Sequence, residues 1–147
     1  MFETIVLATD GSASVERAVA MAIDLAERFD ATLYVLYVVD QDDIEAAPAS
    51  LREAISAGLH EEGESVIGAL ADQATADVRP MITTGRPSVE IVERASEVDA
   101  DLVALGTRGR HGEHRYVLGS VAEAVVRRCP VPVLAVRQLA PDEPARS

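Results

Sequence analysis

IVLATDGS, residues 5–12, joins a short apolar run to three turn-forming residues. Ile5 to Thr9 stops at Asp10-Gly11-Ser12, so the segment reads as a buried strand ending in a loop. From Ser14, apolar residues at 15, 18, 19, 22, 23, 25, 26 and 29 fall at helical spacing, with Glu16 in the first turn, where the helix dipole favours an acid. A strand therefore runs through a tight loop into a helix, and the rest of the chain repeats that unit.

A second apolar run, TLYVLYVV at 32–39, is followed by an acidic connection, DQDDIEAAP, and a long helical pattern from about Ser50 to Ala74. Gly58, Gly63 and Gly68 weaken that helix. DVRPMITTG at 77–85 reads as a third strand, and Pro80 within it assigns it to a sheet edge, because proline cannot donate to a ladder. Pro87 opens a helix through about Val98, as suits proline in a first helical turn. DLVAL at 101–105 is a fourth, fully apolar strand. A glycine-rich loop follows, then a helix from about Gly119 to Arg128, then a fifth strand, VPVLAV, between Val131 and Val136. Pro132 places that strand at an edge too.

Strict alternation of strands and helices implies an α/β fold, a single-domain open five-stranded parallel sheet with helices on both faces, because parallel strands need crossover helices. With strands three and five at the edges, the order 3-2-1-4-5 satisfies the pattern. It makes strands one and four neighbours and puts the reversal of chain direction between them, where ligands bind beyond the carboxyl ends of such sheets. Asp10 ends the first of those strands and Gly106 the fourth. Residues 1–138 are expected to form one domain, with 139–147 a flexible tail.

The 147 residues carry 25 acidic and 13 basic side chains, a net charge of −12, which opposes binding to nucleic acid or to anionic membranes. No apolar run reaches the roughly 18 residues needed to span a bilayer, and no signal-peptide pattern opens the chain, so the expected location is the cytoplasm. All 13 basic residues are arginine. An acidic excess without lysine suits a protein adapted to high salt, where self-repulsion is screened, and genome bias towards arginine is the alternative. The single cysteine, Cys129, excludes an internal disulfide and reads as a small apolar residue.

GTRGRHGEHRYVLGS, residues 106–120, lacks the lysine of the familiar phosphate loop. Ser120 stands at the start of the last helix, where unpaired amides and the positive dipole end favour an anion. Gly119 allows close backbone approach, Gly106 and Gly109 free further amides, and Arg108, Arg110 and Arg115 can add positive charge. A loop merely leading into a helix capped by Ser120 accounts for the same spacing. HGEH at 111–114 differs from the HxGH of class I nucleotidyl transferases in the place of its glycine, and it follows strand four, so that match is set aside.

Gly106-Thr107-Arg108-Gly109, nine residues, then Gly119-Ser120 reproduces the G-2x-G-9x-G-(S/T) pattern of the nucleotide-binding universal stress proteins, which this chain resembles. The opening IVLATDGS, the strand ending in YVVD, the segment TGRPSVEIVERASEVDADLVALGTRGR and the closing CPVPVLAVR are also similar to that family, whereas residues 41–76 and the tail carry no such signal. The resemblance implies a Rossmann-like domain that binds ATP, or ADP or AMP, with Mg²⁺. Asp10 would lie near ribose and phosphates and help to hold Mg²⁺ as a hard oxygen ligand, its alternative role being a loop cap. Val38, or Val39 one residue on, would offer backbone groups to adenine. Gly106, Arg108, Gly109, Gly119 and Ser120 would hold phosphates and ribose. Relatives lacking these glycines tend not to bind ATP.

The resemblance also implies a homodimer through the strand between Val131 and Val136, and a role in the stress response, with the downstream partner unnamed. His111 and His114 lack a third ligand and read as solvated loop residues, as does His60 on its acidic helix. Outside Asp10 and the loop arginines there is no evident base for phosphoryl transfer, so no catalytic residue is assigned. The function expected is an ATP-binding regulatory protein whose occupancy is a switch, with slow hydrolysis at most. A slow ATP hydrolase or ATP-using enzyme, and a nucleotide-free interaction module, are the alternatives.

Overall fold

The structure, a computed structural model, describes residues 2–108 and 118–140. Strand β1 covers Thr4–Ala8 and leads through a tight turn at Ala13–Val15 into helix α1, Glu16–Phe29. Asp30 stops α1 in the left-handed region (φ 52°), which short polar side chains tolerate, and its amide donates to the carbonyl of Ala26. Then follow β2 (Thr32–Asp40), α2 (Gln41–Glu45), α3 (Arg52–Gln73), β3 (Asp77–Gly85), α4 (Pro87–Glu97), β4 (Leu102–Gly106), α5 (Ser120–Arg128) and β5 (Val133–Val136). All four strand pairings are parallel, and the sheet order is β3-β2-β1-β4-β5.

Two local readings change. The acidic connection after β2 is not wholly irregular: Asp40 accepts a hydrogen bond from the amide of Asp42 (3.0 Å), and Asp42 and Asp43 occupy the first turn of α2, favoured by its dipole. Pro132 lies just before β5 rather than inside it, and its carbonyl accepts from the amide of Val103 (3.0 Å), a bond that needs no donor from proline. Pro80, by contrast, sits within β3 opposite Val35, on a strand paired only with β2.

Side-chain alternation along the strands divides the core between the two faces. Ile5, Leu7, Leu33 and Val35 pack with Ala22, Ile23 and Ala26 of α1 and Ile67 and Leu70 of α3. Val6, Leu36, Val103 and Leu105 pack with Ile91 and Ala95 of α4 and Ala122 and Val125 of α5, with half-buried Cys129 against them. Each fully buried side chain of this size contributes about 1.5–3 kcal/mol. Of the three glycines in α3, Gly63 has a packing role, since a Cβ there would lie 2.7 Å from the ring of Tyr37, whereas Gly58 and Gly68 face open space.

The amino end of the sheet is closed by one side chain. The carboxylate of Asp101 accepts from the amides of Glu3 (2.8 Å) and Thr4 (3.0 Å), and the amide of Asp101 donates to the carbonyl of Thr4 (2.8 Å). The Glu3 bond first and the Thr4 bond second hold this carboxyl below its usual pKa. The opposite end stays open.

Candidate functional site

Past Ala8, the amide of Thr9 donates to the carbonyl of Leu36 (3.0 Å), the last such bond between β1 and its neighbour. The chain then turns: the amide of Gly11 donates to Oγ1 of Thr9 (3.1 Å), and that of Ser12 to Oδ1 of Asp10 (2.9 Å). Gly11 has φ +78°, and a Cβ there would stand 2.7 Å from Val66 of α3, so both conformation and space call for glycine. Asp10 thus takes the role of loop cap, with one carboxylate oxygen, at the mouth of the cleft.

The other rim starts where β4 ends. The amide of Thr107 donates to the carbonyl of Val136, and its own carbonyl accepts from the amide of Gly119 at 2.7 Å. A Cβ on Gly119 would lie 3.0 Å from that carbonyl, and one on Gly106 would lie 2.9 Å from Val15 and 3.0 Å from the Arg108 carbonyl. These two glycines let the end of β4 approach the start of α5. Gly119, in extended conformation, occupies the cap position of α5, so Ser120 is its first helical residue and not its cap. The first intrahelical bond runs from the amide of Glu123 to the carbonyl of Gly119, which leaves the amides of Ser120, Val121 and Ala122 without intrahelical acceptors.

Between the rims lies a cleft of about 330 Å³, at the lower end of the usual range for small-ligand sites. Asp10, Val38, Gly106, Arg108, Gly119 and Ser120 all line it, so every proposed binding residue within the described part of the chain converges on one space. Gly109, together with Arg110, His111, His114 and Arg115, lies outside the described residues. Val38 and Val39 are both at the wall, but they differ in direction. Because Leu36 turns its carbonyl to β1, the alternation of a parallel strand turns the amide and carbonyl of Val38 the same way, past the end of β1. Those of Val39 turn towards β3, and its side chain is buried in the core.

Thr107 is a cleft residue that the motif hides, because it occupies an unspecified position. Among the described residues its Oγ1 is buried without a hydrogen-bond partner, as are Nε of Arg108 and Oγ of Ser12. Unsatisfied polar atoms are uncommon in folded proteins and each calls for an explanation, a ligand among them. Pro87 and Ile91 of α4, Leu59 of α3 and Asp43 of α2 also line the cleft. Only packing of distant segments brings them there. Among the described residues, no group of three or more His, Cys, Asp or Glu could hold a metal by itself. His60 is half-buried on α3, its Nδ1 2.9 Å from the carbonyl of Ser56, and it lies outside the cleft wall.

The sequence profile of the universal stress protein family matches residues 1–137. The chain belongs to this family. The universal stress protein MJ0531 of Methanocaldococcus jannaschii is 38% identical over 142 residues, covering 94% of this chain and 84% of that protein. The fold is similar to that of the hypothetical protein MJ0577, with a TM-score of 0.82 at 26% identity, covering 95% and 99% of the two chains. It is also similar to a universal stress protein solved in complex with cAMP, with a TM-score of 0.69 at 28% identity over 94% and 98% of the chains. The five-stranded order and flanking helices are therefore those of the family. Among the described residues, no helix is long and apolar enough to cross a membrane.

Proposed function

We propose that this universal stress protein binds an adenine nucleotide, ATP or else ADP or AMP, and that occupancy of the cleft acts as a switch read by a protein partner. The observation that carries this reading is the convergence of Asp10, Val38, Gly106, Arg108, Gly119 and Ser120 on one cleft at the divergence of β1 and β4. The amides at the start of α5 suit phosphate, the backbone of Val38 suits the base edge, and the cAMP complex of a relative supports an adenine ligand.

Mg²⁺ fits as the companion of a nucleotide. It binds through one or two carboxylates plus phosphates, and Asp10 supplies one such carboxylate where no three-acid cage exists among the described residues. The ion would neutralise phosphate charge. In this reading hydrolysis is at most slow, because Asp10 is engaged in its own loop and the other acids lining the cleft among the described residues, Asp40 and Asp43, stand past β2 and not beside the start of α5. Calorimetric titration of ATP and Mg²⁺ into nucleotide-free protein should give one site per chain, with phosphate release far below about one per second. Absence of binding overturns the reading, and rapid turnover replaces the switch with an enzyme.

The same reading includes a homodimer through the strand between Val131 and Val136. The carbonyls of Pro132 and Val136 face β4, so alternation turns the backbone of Val133 and Ala135 to the open edge. Ala135→Pro removes one outward donor and leaves the β4 ladder intact. It should yield a folded monomer by light scattering. An unchanged dimer excludes pairing through this edge.

A further inference from the structure

We propose that Asp43 is a specificity-determining residue of the cleft, selecting a nucleobase that presents an amino group over one that presents a carbonyl at the same position. This rests on the nucleotide reading above. The two ends of the cleft differ in chemistry. In the sheet order β1 separates them: past β4 stand the amides at the start of α5, Gly119 and Arg108, and past β2 stand two acids, Asp40 and Asp43. Acids there disfavour phosphate at that end, so the charge pattern sets the direction in which a nucleotide lies.

Helix α2 is held firmly enough to aim a side chain. Asp40 caps it through the amide of Asp42, Ile44 packs against the core, and Arg52 donates from Nε to the carbonyl of Ala47 (3.0 Å) and from Nη2 to that of Glu45 (3.1 Å). Glu45 is occupied on the exposed side by the amide of Gln41 at 2.9 Å. Asp43 lines the cleft, and its carboxylate has no hydrogen-bond partner among the described residues. An ionised carboxylate only accepts hydrogen bonds, so it gains from an exocyclic amine and opposes a carbonyl oxygen. Asp43 is exposed to solvent, which keeps the expected discrimination modest, about tenfold.

ATP and ITP differ at purine C6, amino against oxo, and at N1, an acceptor in ATP and a protonated donor in ITP; titration of each with Mg²⁺ into the full chain, compared between wild type and Asp43 variants, tests the proposal. The wild type should prefer ATP. Asp43→Ala should remove about tenfold of that preference, mainly by weakening ATP, and Asp43→Asn, whose amide can donate, should move it towards ITP. Glu45→Gln, which removes the same charge from the same helix, should leave the ratio unchanged. An ATP-to-ITP ratio in Asp43→Ala equal to that of the wild type, or an equal loss in Glu45→Gln, overturns the inference while leaving nucleotide binding intact. Failure of the wild type to take either nucleotide overturns the nucleotide reading and the inference together.

Discussion

At the amino ends of β1 and β4 a single carboxylate, Asp101, accepts two backbone amides and ties residues nearly a hundred positions apart in sequence. At the carboxyl ends of the same two strands, Thr107, Arg108 and Ser12 each bury a polar atom with no partner among the described residues. Between those ends both strands are apolar and buried, Ile5 to Ala8 and Leu102 to Leu105, so the contrast does not come from the core. It comes from what the loops do. One end consumes its hydrogen-bonding capacity in closing the fold, and the other withholds it, at a cost of about 1–3 kcal/mol for each unsatisfied group. Mutations at the two ends should therefore separate stability from binding.

The largest effect is expected at Gly119. Gly119→Val drives a branched side chain against the carbonyl of Thr107 and displaces the start of α5; ATP affinity should fall at least about a hundredfold, about 3 kcal/mol, by calorimetry. Retained affinity would mean that the glycine spacing is structural only. Asp101→Asn should do the reverse, lowering the melting temperature at neutral pH with ATP binding unchanged. Because folding depresses this carboxyl's pKa, its contribution is present above the ordinary value of about 3.9 and is lost as pH falls through the lower folded value. The gap between wild-type and Asn melting curves should close as pH drops from 7 through that window; a gap independent of pH would assign the effect to packing.

Thr107→Val sharpens the contrast, since it removes a buried hydroxyl that has no partner among the described residues while keeping the side-chain shape. Stability should hold or rise, and ATP should bind about three- to tenfold more weakly, the loss of one hydrogen bond. A destabilised variant with normal affinity would move Thr107 to the stabilising class. Gly68→Ala, with open space beside it in α3, is the reference at neither end: thermal melts should show about 0.5–1 kcal/mol of stabilisation, and binding should not change.

Much of this arrangement is legible residue by residue. Pro80 marks β3 as an edge because a missing donor is tolerated only there, and the sheet order read from the sequence brings Gly106, Gly119 and Ser120 to the same cleft as Asp10. Helix α2 is not evident, because five residues are too few to show a period; its signal is Asp40 before two acids, a cap followed by a favoured first turn. Thr107 is hidden in a motif that specifies only its glycines. Gly63, which reads as a weakness in α3, is the point at which that helix closes on Tyr37.

Local chemistry in the sequence by itself determined the strands, the four longer helices, their parallel order and the family resemblance of the loop, since apolar period, proline and glycine act within a few residues of their position. Only the tertiary structure decided that Asp101 closes one end of the sheet, that Thr107 retains an unpaired hydroxyl, and that Asp43 joins Ile91 and Pro87 around one cleft. Those outcomes depend on which distant backbone groups meet after the core has packed, and hydrogen bonds across such separations leave no periodic trace in the chain that makes them.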